Sequence, residues 1–536
     1  MHVRTFSVAL VGAAVASGAW YYGTAKQQTR EGSTDANPVT RAGKSSLSAA
    51  DVYSNSPAVK PSSATTEEAS ASTRRALVVE QGHIYSGTLV GDGPLSKDTD
   101  DYGRKVLEMM TPEQATQKLR KNEESWLVSR GRGVVRYDVV QIPSNDPIED
   151  DHAEKIIEVP QSVAPIDDNE LSSDWMFWGI FDGHSGWTTS AKLRQTLISY
   201  VARELNDTYK SASANPALKF PTPESIDSAI KNGFLRLDNE IVHEAVKKVN
   251  LSKSKVAAAE LLAPALSGSC ALLSFYDSHS KTLRVACTGD SRAVLGRRGP
   301  SGKWTATALS VDQTGANEDE AKRMRAEHPG EPSVVMNGRV LGGLEPTRAF
   351  GDAIYKWSQE IQERLKENYF GRTPLKLLKT PPYVTAEPVI TTTKVQPENG
   401  DFLVLATDGL WEMLTNEEVV GLVGQWLDVQ SKGSRKDGSG WLKSWFGSQS
   451  KLPVEVPAKV EDELGGQRRP IRQDQWGLKA TMNDRFVVED ENVATHLVRN
   501  ALGGKDQDQL CALLTLPSPY SRRFRYVHAT QLMACD

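Results

Sequence analysis

Apolar residues in this chain follow two rhythms. Trp175-Met176-Phe177-Trp178-Gly179-Ile180-Phe181 is an unbroken apolar run of strand length, which predicts a buried strand. Leu283-Arg284-Val285-Ala286-Cys287-Thr288 and Phe402-Leu403-Val404-Leu405-Ala406-Thr407 read the same way. The first of these pairs with 271–276 as a predicted hairpin, closed through Asp277-Ser278-His279-Ser280-Lys281. Further strands are predicted over 134–140 and 383–387. Between the strands the spacing changes to threes and fours. Leu193, Leu197, Ile198, Val201 and Leu205 stripe one face of a helix over 191–209. Ile226, Ile230, Phe234, Leu237, Ile241 and Ala245 do so over 223–249. Shorter helices are predicted over 317–327 and 357–369. Another starts at Thr415-Asn416-Glu417-Glu418, where a capping residue precedes acids at the positive end of the helix dipole. One over 492–502 is stopped by Gly503-Gly504. Upstream, between 103 and 128, Val106, Leu107, Met110, Leu119 and Leu127 fit one helix around Thr111-Pro112-Glu113, with threonine as cap and proline at the first helical position.

The ends and one late stretch break this pattern. Residues 1–30 are basic and free of acid, and they enclose an apolar run over 6–23 that ends in Trp20-Tyr21-Tyr22. At roughly eighteen residues the run reaches the lower limit of a membrane span. The segment is expected to be a targeting or membrane-anchor segment, its basic flanks suiting organelle import. Residues 31–78 are rich in Ser, Thr, Ala and Pro and predict a disordered linker. The folded domain is expected over 79–536, with a polar, Lys/Gly/Ser-rich insertion at about 431–484. The formal net charge of −5 leaves no basic field for a nucleic-acid partner. The four cysteines lie far apart and suggest neither a zinc site nor a disulfide framework.

The chemistry lies where the strands stop. The run ending at Phe181 meets Asp182-Gly183-His184, the run ending at Thr288 meets Gly289-Asp290, and the run ending at Thr407 meets Asp408-Gly409. Singly, each is a turn. Three strands each ending on Asp beside Gly, with Glu149-Asp150-Asp151 also available, point to carboxylates converging on a divalent cation.

Five motifs occur in order: Pro-Ile-Glu-Asp at 147–150, Phe-Asp-Gly-His-Ser-Gly at 181–186, Thr-Gly-Asp-Ser-Arg at 288–292, Thr-Arg-Ala-Phe-Gly-Asp at 347–352 and Ala-Thr-Asp-Gly-Leu-Trp-Glu at 406–412. Together they resemble the metal-dependent type 2C Ser/Thr protein phosphatases over residues 120 to 525, most closely the mitochondrial pyruvate dehydrogenase phosphatase branch in its fungal form. The resemblance implies an α+β fold of two packed antiparallel sheets flanked by helices. It implies that Asp182 bridges two Mg2+ or Mn2+ ions, that the Gly183 carbonyl and Asp408 bind one of them, and that Glu149 and Asp150 act through metal-bound waters. Asp290 would help hold a weaker third ion. His184 would be the general acid, and metal-activated water the nucleophile. A phosphorylated protein, with mitochondrial pyruvate dehydrogenase as the branch's substrate, would be the partner, and the location mitochondrial and membrane-anchored.

Two positions depart from the resemblance. Asn145 stands where many relatives carry a phosphate-holding arginine, and offers a neutral donor to substrate. After Arg525 the chain reads Tyr526-Val527-His528-Ala529-Thr530, without the expected Asp pair, one of which is a metal ligand in the family, and without an evident closing strand. This predicts weaker metal binding and lower stability. It also keeps open a second reading, a non-catalytic pseudophosphatase that binds partners while tethered to a membrane.

Overall fold

The computed structural model describes residues 73–536, apart from 81–82, 96, 132, 161–162, 164–171, 216, 219, 434–451, 456–469, 471–484, 525–528 and 536. The expected anchor run over 6–23 and most of the expected linker lie outside the described residues. Among the described residues no helix is long and apolar enough to cross a membrane.

Two antiparallel sheets carry the fold. One has five strands in the order Val389–Lys394, Thr282–Thr288, Ala271–Asp277, Ser172–Phe181, Asp151–Pro160. The other has six, in the order Trp304–Ala308, Arg292–Arg298, Phe402–Ala406, Ala529–Cys535, Val134–Gln141, Glu124–Leu127. Strand side chains alternate between faces, and here both faces are covered. From Ser172–Phe181, Met176, Trp178 and Ile180 enter the layer between the sheets, where they join Leu272, Val285, Leu403 and Leu405. Trp175, Phe177 and Phe181 point the other way, into a core shared with Leu193, Leu197, Val201, Ile230 and Phe234. Those last residues belong to the helices Thr188–Ser213 and Pro223–Asn239. The six-stranded sheet is built alike: Phe402, Val404 and Ala406 turn outward onto helices Asn416–Gly433 and Val493–Leu502. The result is the expected α+β sandwich, two antiparallel sheets flanked by helices. Double coverage explains why the central strand reads as a solid apolar run and not as an alternation.

Several local expectations change. The first described strand, Thr73–Glu80, begins ahead of the boundary expected near Val79, and pairs with His83–Val90 and Lys105–Glu108. Residues 103–128 are not one helix. Val106 and Leu107 lie in the strand Lys105–Glu108, Leu127 lies in Glu124–Leu127, and only Pro112–Arg120 is helical. Its start is as read: Thr111 caps it and Gln114 closes a capping box. Residues 383–387 do not form a strand. Thr385 makes one isolated bridge to Arg348, and the strand follows at Val389–Lys394. The helix over 223–249 is interrupted by a π-helical turn at Glu240–Glu244. Within the polar insertion, Trp304 accepts a backbone bond from Glu455 at 2.8 Å and donates one to Pro453 at 2.9 Å, which adds a short parallel segment beside Trp304–Ala308.

The largest correction concerns the C-terminus. Ala529–Cys535 is a strand, and a central one: Thr530 to Ala534 pair with Ala406 to Phe402, and Ala529 to Cys535 pair with Gln141 to Val134. The sandwich is therefore closed by the segment in which no closing strand was evident from sequence.

Helix Val493–Leu502 carries a buried titrating group. His496 is fully buried; its Nε2–H donates to the Leu422 carbonyl at 3.2 Å, and its Nδ1 accepts from Asn500 Nδ2 at 3.2 Å. Both ring nitrogens are thus used by the neutral form. Burial pushes its pKa down to about 4, Arg499 adding to the effect and Asp490 opposing it. Between the unfolded value near 6.5 and about 4, the unfolded chain binds a proton that the folded chain refuses. Stability should fall as pH drops through that window, by about 3 kcal/mol in full. Melting curves from pH 7.5 to 4.5 check this. His496→Gln should show a shallower pH dependence than the parent chain, and parallel curves would refute it.

Candidate metal centre

Three strand ends deliver three carboxylates to one point. Asp182 follows Ser172–Phe181, Asp290 follows Thr282–Thr288, and Asp408 follows Phe402–Ala406. Carboxylate oxygens of Asp182, Asp290 and Asp408 lie within 4.8 Å of one another. Each turn is pinned from behind. The Cys270 N–H donates to the Asp182 carbonyl at 2.9 Å. The Gly289 N–H donates to Gln313 Oε1 at 2.8 Å, and the Cys270 thiol donates to Asp290 Oδ1 at 3.2 Å. Trp411 Nε1–H donates to the Ala406 carbonyl at 3.0 Å, which fixes the chain around Asp408.

Glu149 and Asp150 join this group from the loop before Asp151–Pro160. Asp150 Oδ1 accepts from the Gly183 N–H at 3.2 Å. Glu149 Oε1 accepts from the Gly186 N–H at 2.7 Å, and its Oε2 accepts from Asn145 Nδ2 at 2.5 Å. Asn145, expected to face substrate, is thus engaged in holding Glu149. The Glu149 backbone carbonyl accepts from the Ser190 hydroxyl. Gly183 is required at its place: a methyl on it would overlap that carbonyl.

The crowding shows in the acidities. Burial, then the charge of Asp150 and of Asp290, pushes the Asp182 carboxyl well above the usual carboxylate range. Burial and Asp408 do the same to Asp150, and burial and Asp182 to Asp408. Glu412, on the turn after Asp408, is pushed up to about 7 by burial and by Asp290. So many close carboxylates repel one another unless a cation stands between them. The donor set fits a hard divalent ion: oxygen atoms only, on rigid strand ends, close enough to share one centre.

His184 sits beside this group in the short strand Gly183–His184, which pairs with Gly268–Ser269. Its Nε2–H donates to Asp352 Oδ2 at 2.6 Å. Burial lowers the imidazole pKa, but Asp352 overcomes this and the net shift is upward. Asp352 holds a left-handed backbone, φ 46° and ψ 38°, which a non-glycine residue keeps only under constraint from its surroundings. The constraints are visible. The Asp352 N–H donates to the Ser267 carbonyl at 2.8 Å, and the Gly351 N–H donates to Asp238 Oδ1 at 3.0 Å. Asp238 is paired with the buried Lys356 at 2.7 Å. Gly268 leaves the space: a methyl there would strike both Asp352 Oδ2 and His184 Nε2.

Every residue singled out from the sequence lies in this region. Two were missed. Asp352 and Glu412 both stand in recognised motifs, but the late Gly-Asp at 351–352 reads only as tight packing, and Glu412 as the end of a motif. Asp352 meets a partner 168 positions away, a pairing that spacing alone does not announce.

A protein-family model, Protein phosphatase 2C, matches residues 150–436. The mitochondrial [pyruvate dehydrogenase [acetyl-transferring]]-phosphatase 1 of Saccharomyces cerevisiae is 44% identical over 416 residues, which cover 76% of this chain and 70% of the yeast protein. A protein phosphatase 2C homolog of Schizosaccharomyces pombe is 46% identical over 411 residues, covering 76% of this chain and 82% of that one. The human mitochondrial [pyruvate dehydrogenase [acetyl-transferring]]-phosphatase 1 is 32% identical over 483 residues, covering 78% and 81%.

Proposed function

Because this chain belongs to the protein phosphatase 2C family and is a protein serine/threonine phosphatase, we propose that it hydrolyses phosphoserine and phosphothreonine at the carboxylate centre, with mitochondrial pyruvate dehydrogenase as its substrate. The observation that carries the site is the convergence of Asp182, Asp290 and Asp408 within 4.8 Å from three strand ends. The substrate and the mitochondrial location rest on the names of the yeast and human relatives. The basic, acid-free first thirty residues agree with import.

Asp182, Asp408 and Asp290, with Glu149, Asp150 and the Gly183 backbone, would hold Mg2+ or Mn2+, and such an ion supplies Lewis acidity that neutralises phosphoryl charge and makes water nucleophilic at neutral pH. The chain's own residues do the rest. The Gly186 and Asn145 donors hold both Glu149 oxygens, so that its carboxylate keeps one orientation. Asp352 fixes the His184 ring through Nε2–H, which leaves Nδ1 as the atom that can give a proton. As the bond from phosphorus to the serine or threonine oxygen breaks, that proton passes to the departing oxygen. Strand ends hold Asp182, Asp290 and Asp408, and hydrogen bonds pin Glu149 and Asp352 on their loops, so little reorganisation is needed during reaction.

The test is phosphate release by the full chain from a phosphothreonine peptide and from phosphorylated pyruvate dehydrogenase, with Mn2+ or Mg2+ titrated in and with chelator as control. Release from both that requires the metal is the expected result. A chain that melts cooperatively yet releases nothing with metal present would overturn the activity. Release from the peptide alone would overturn the choice of substrate.

A further inference from the structure

The proposed centre is acidic throughout. Glu149, Asp150, Asp182, Asp290, Asp408 and Glu412 carry one sign, and Asn145, where the family resemblance expects an arginine, carries no charge. The buried cations nearby are already committed: Arg348 to Glu320 at 2.8 Å, and Lys356 to Asp238 at 2.7 Å.

One arginine at the rim is different. Ser185, next after His184, has a left-handed backbone with φ 60°. Its carbonyl accepts from Arg372 Nη2 at 3.4 Å. Among the described residues that is the one hydrogen bond of the Arg372 side chain, and no carboxylate pairs with it. Arg372 is exposed, as are Lys376 and Lys379 on the same loop. Tyr355 ties this loop to the site. Burial and the charge of Asp352 raise its phenol pKa, while Arg372 and Arg339 oppose that rise, so all three charges act on one side chain. Arg339 is paired with Glu345 at 2.5 Å, which leaves Arg372 as the uncommitted cation of that set.

We propose that Arg372 is a substrate-recognition residue, its guanidinium binding an Asp or Glu side chain that flanks the phosphorylated residue of the peptide. This rests on the phosphatase reading above. An exposed guanidinium on the carbonyl of Ser185, next after His184, is placed for a peptide lying across the rim, and its fork of donors suits a carboxylate. It also offsets the repulsion that an acidic peptide would otherwise meet from the carboxylates within.

The test uses the full chain, a phosphothreonine peptide with aspartates beside the phosphorylated residue, and the same peptide with asparagines instead. The parent chain should prefer the acidic peptide in kcat/KM by about five-fold, the scale of an exposed ion pair, and through KM. Arg372→Gln keeps a donor for the Ser185 carbonyl but removes the charge, and should bring that ratio to about one. Arg372→Lys should retain most of it. A ratio that survives Arg372→Gln, or a loss of equal size on both peptides, would overturn the assignment while leaving the phosphatase reading intact. No phosphate release from either peptide by the parent chain would overturn both.

Discussion

Asp182→Asn is expected to slow phosphate release by about 10²-fold to a few times 10³-fold while raising the melting temperature of the metal-free chain. Asp182 lies within 4.8 Å of both Asp290 and Asp408, and its acidity also responds to Asp150. Asparagine keeps the shape and one oxygen but removes a full charge. Removing one partner of a buried ionic contact costs about 3–5 kcal/mol, and each 1.4 kcal/mol or so of lost transition-state stabilisation is about tenfold in rate. Stability responds with the opposite sign when no metal is present. One crowded, desolvated carboxylate becomes neutral, and the repulsion with its neighbours falls. With metal the sign reverses again, because a cation at about a hundred times its Kd adds about 2.7 kcal/mol to the parent fold, and the variant loses that gain. The check is a pair of melting curves, in chelator and in Mn2+, beside the rate. A variant that is destabilised in chelator yet keeps the full Mn2+ shift would show that Asp182 is a structural residue and not a ligand.

The sequence displayed this centre unusually well, for a physical reason. A strand buried on both faces must be apolar throughout, so the first carboxylate after it stands out. That is how Asp182 and Asp408 could be read directly, with Asp290 one glycine beyond its strand. Asp352 was less visible because its role depends on a left-handed turn held by Ser267 and Asp238, both distant in sequence, Asp238 being paired in turn with Lys356. The strand misread at 383–387 shows the same limit. Tyr383 and Val384 are buried, but in a separate core with Val334, Val340 and Ala349. Burial made them look like strand, while the ladder goes to the Thr-rich Val389–Lys394. The helix expected over 103–128 failed because its apolar residues serve two strands and a helix in turn. What the pattern reports is that a side chain is buried; which neighbour buries it is decided by the rest of the chain.

That distinction is sharpest at the C-terminus, and it sets the second large expectation: a chain ending at Arg525 should not form a cooperatively melting fold. Ala529-Thr530-Gln531-Leu532-Met533-Ala534-Cys535 has little of the β-branched alternation that marks a strand. It becomes one because two strands stand on either side of an open place. Phe402–Ala406 is buried along its whole length, and Val139 and Val140 of the facing strand are buried too. Removing the segment between them would leave two rows of backbone donors and acceptors without partners inside the protein. At about 1–3 kcal/mol for each buried group left unsatisfied, even a few such groups approach the 5–15 kcal/mol that holds a typical domain together. The truncation also separates the half of the sheet carrying Asp408 from the half that leads into Glu149 and Asp150, so metal binding should fail along with folding. Gln531→Pro is the milder test. It removes one donor from a position paired with both Leu405 and Val139, and it should cost about 3 kcal/mol or more. Circular dichroism melts should rank the parent highest, Gln531→Pro below it and the truncated chain last, without a cooperative transition. A truncated chain that melts like the parent would mean that the six-stranded sheet does not depend on its central strand.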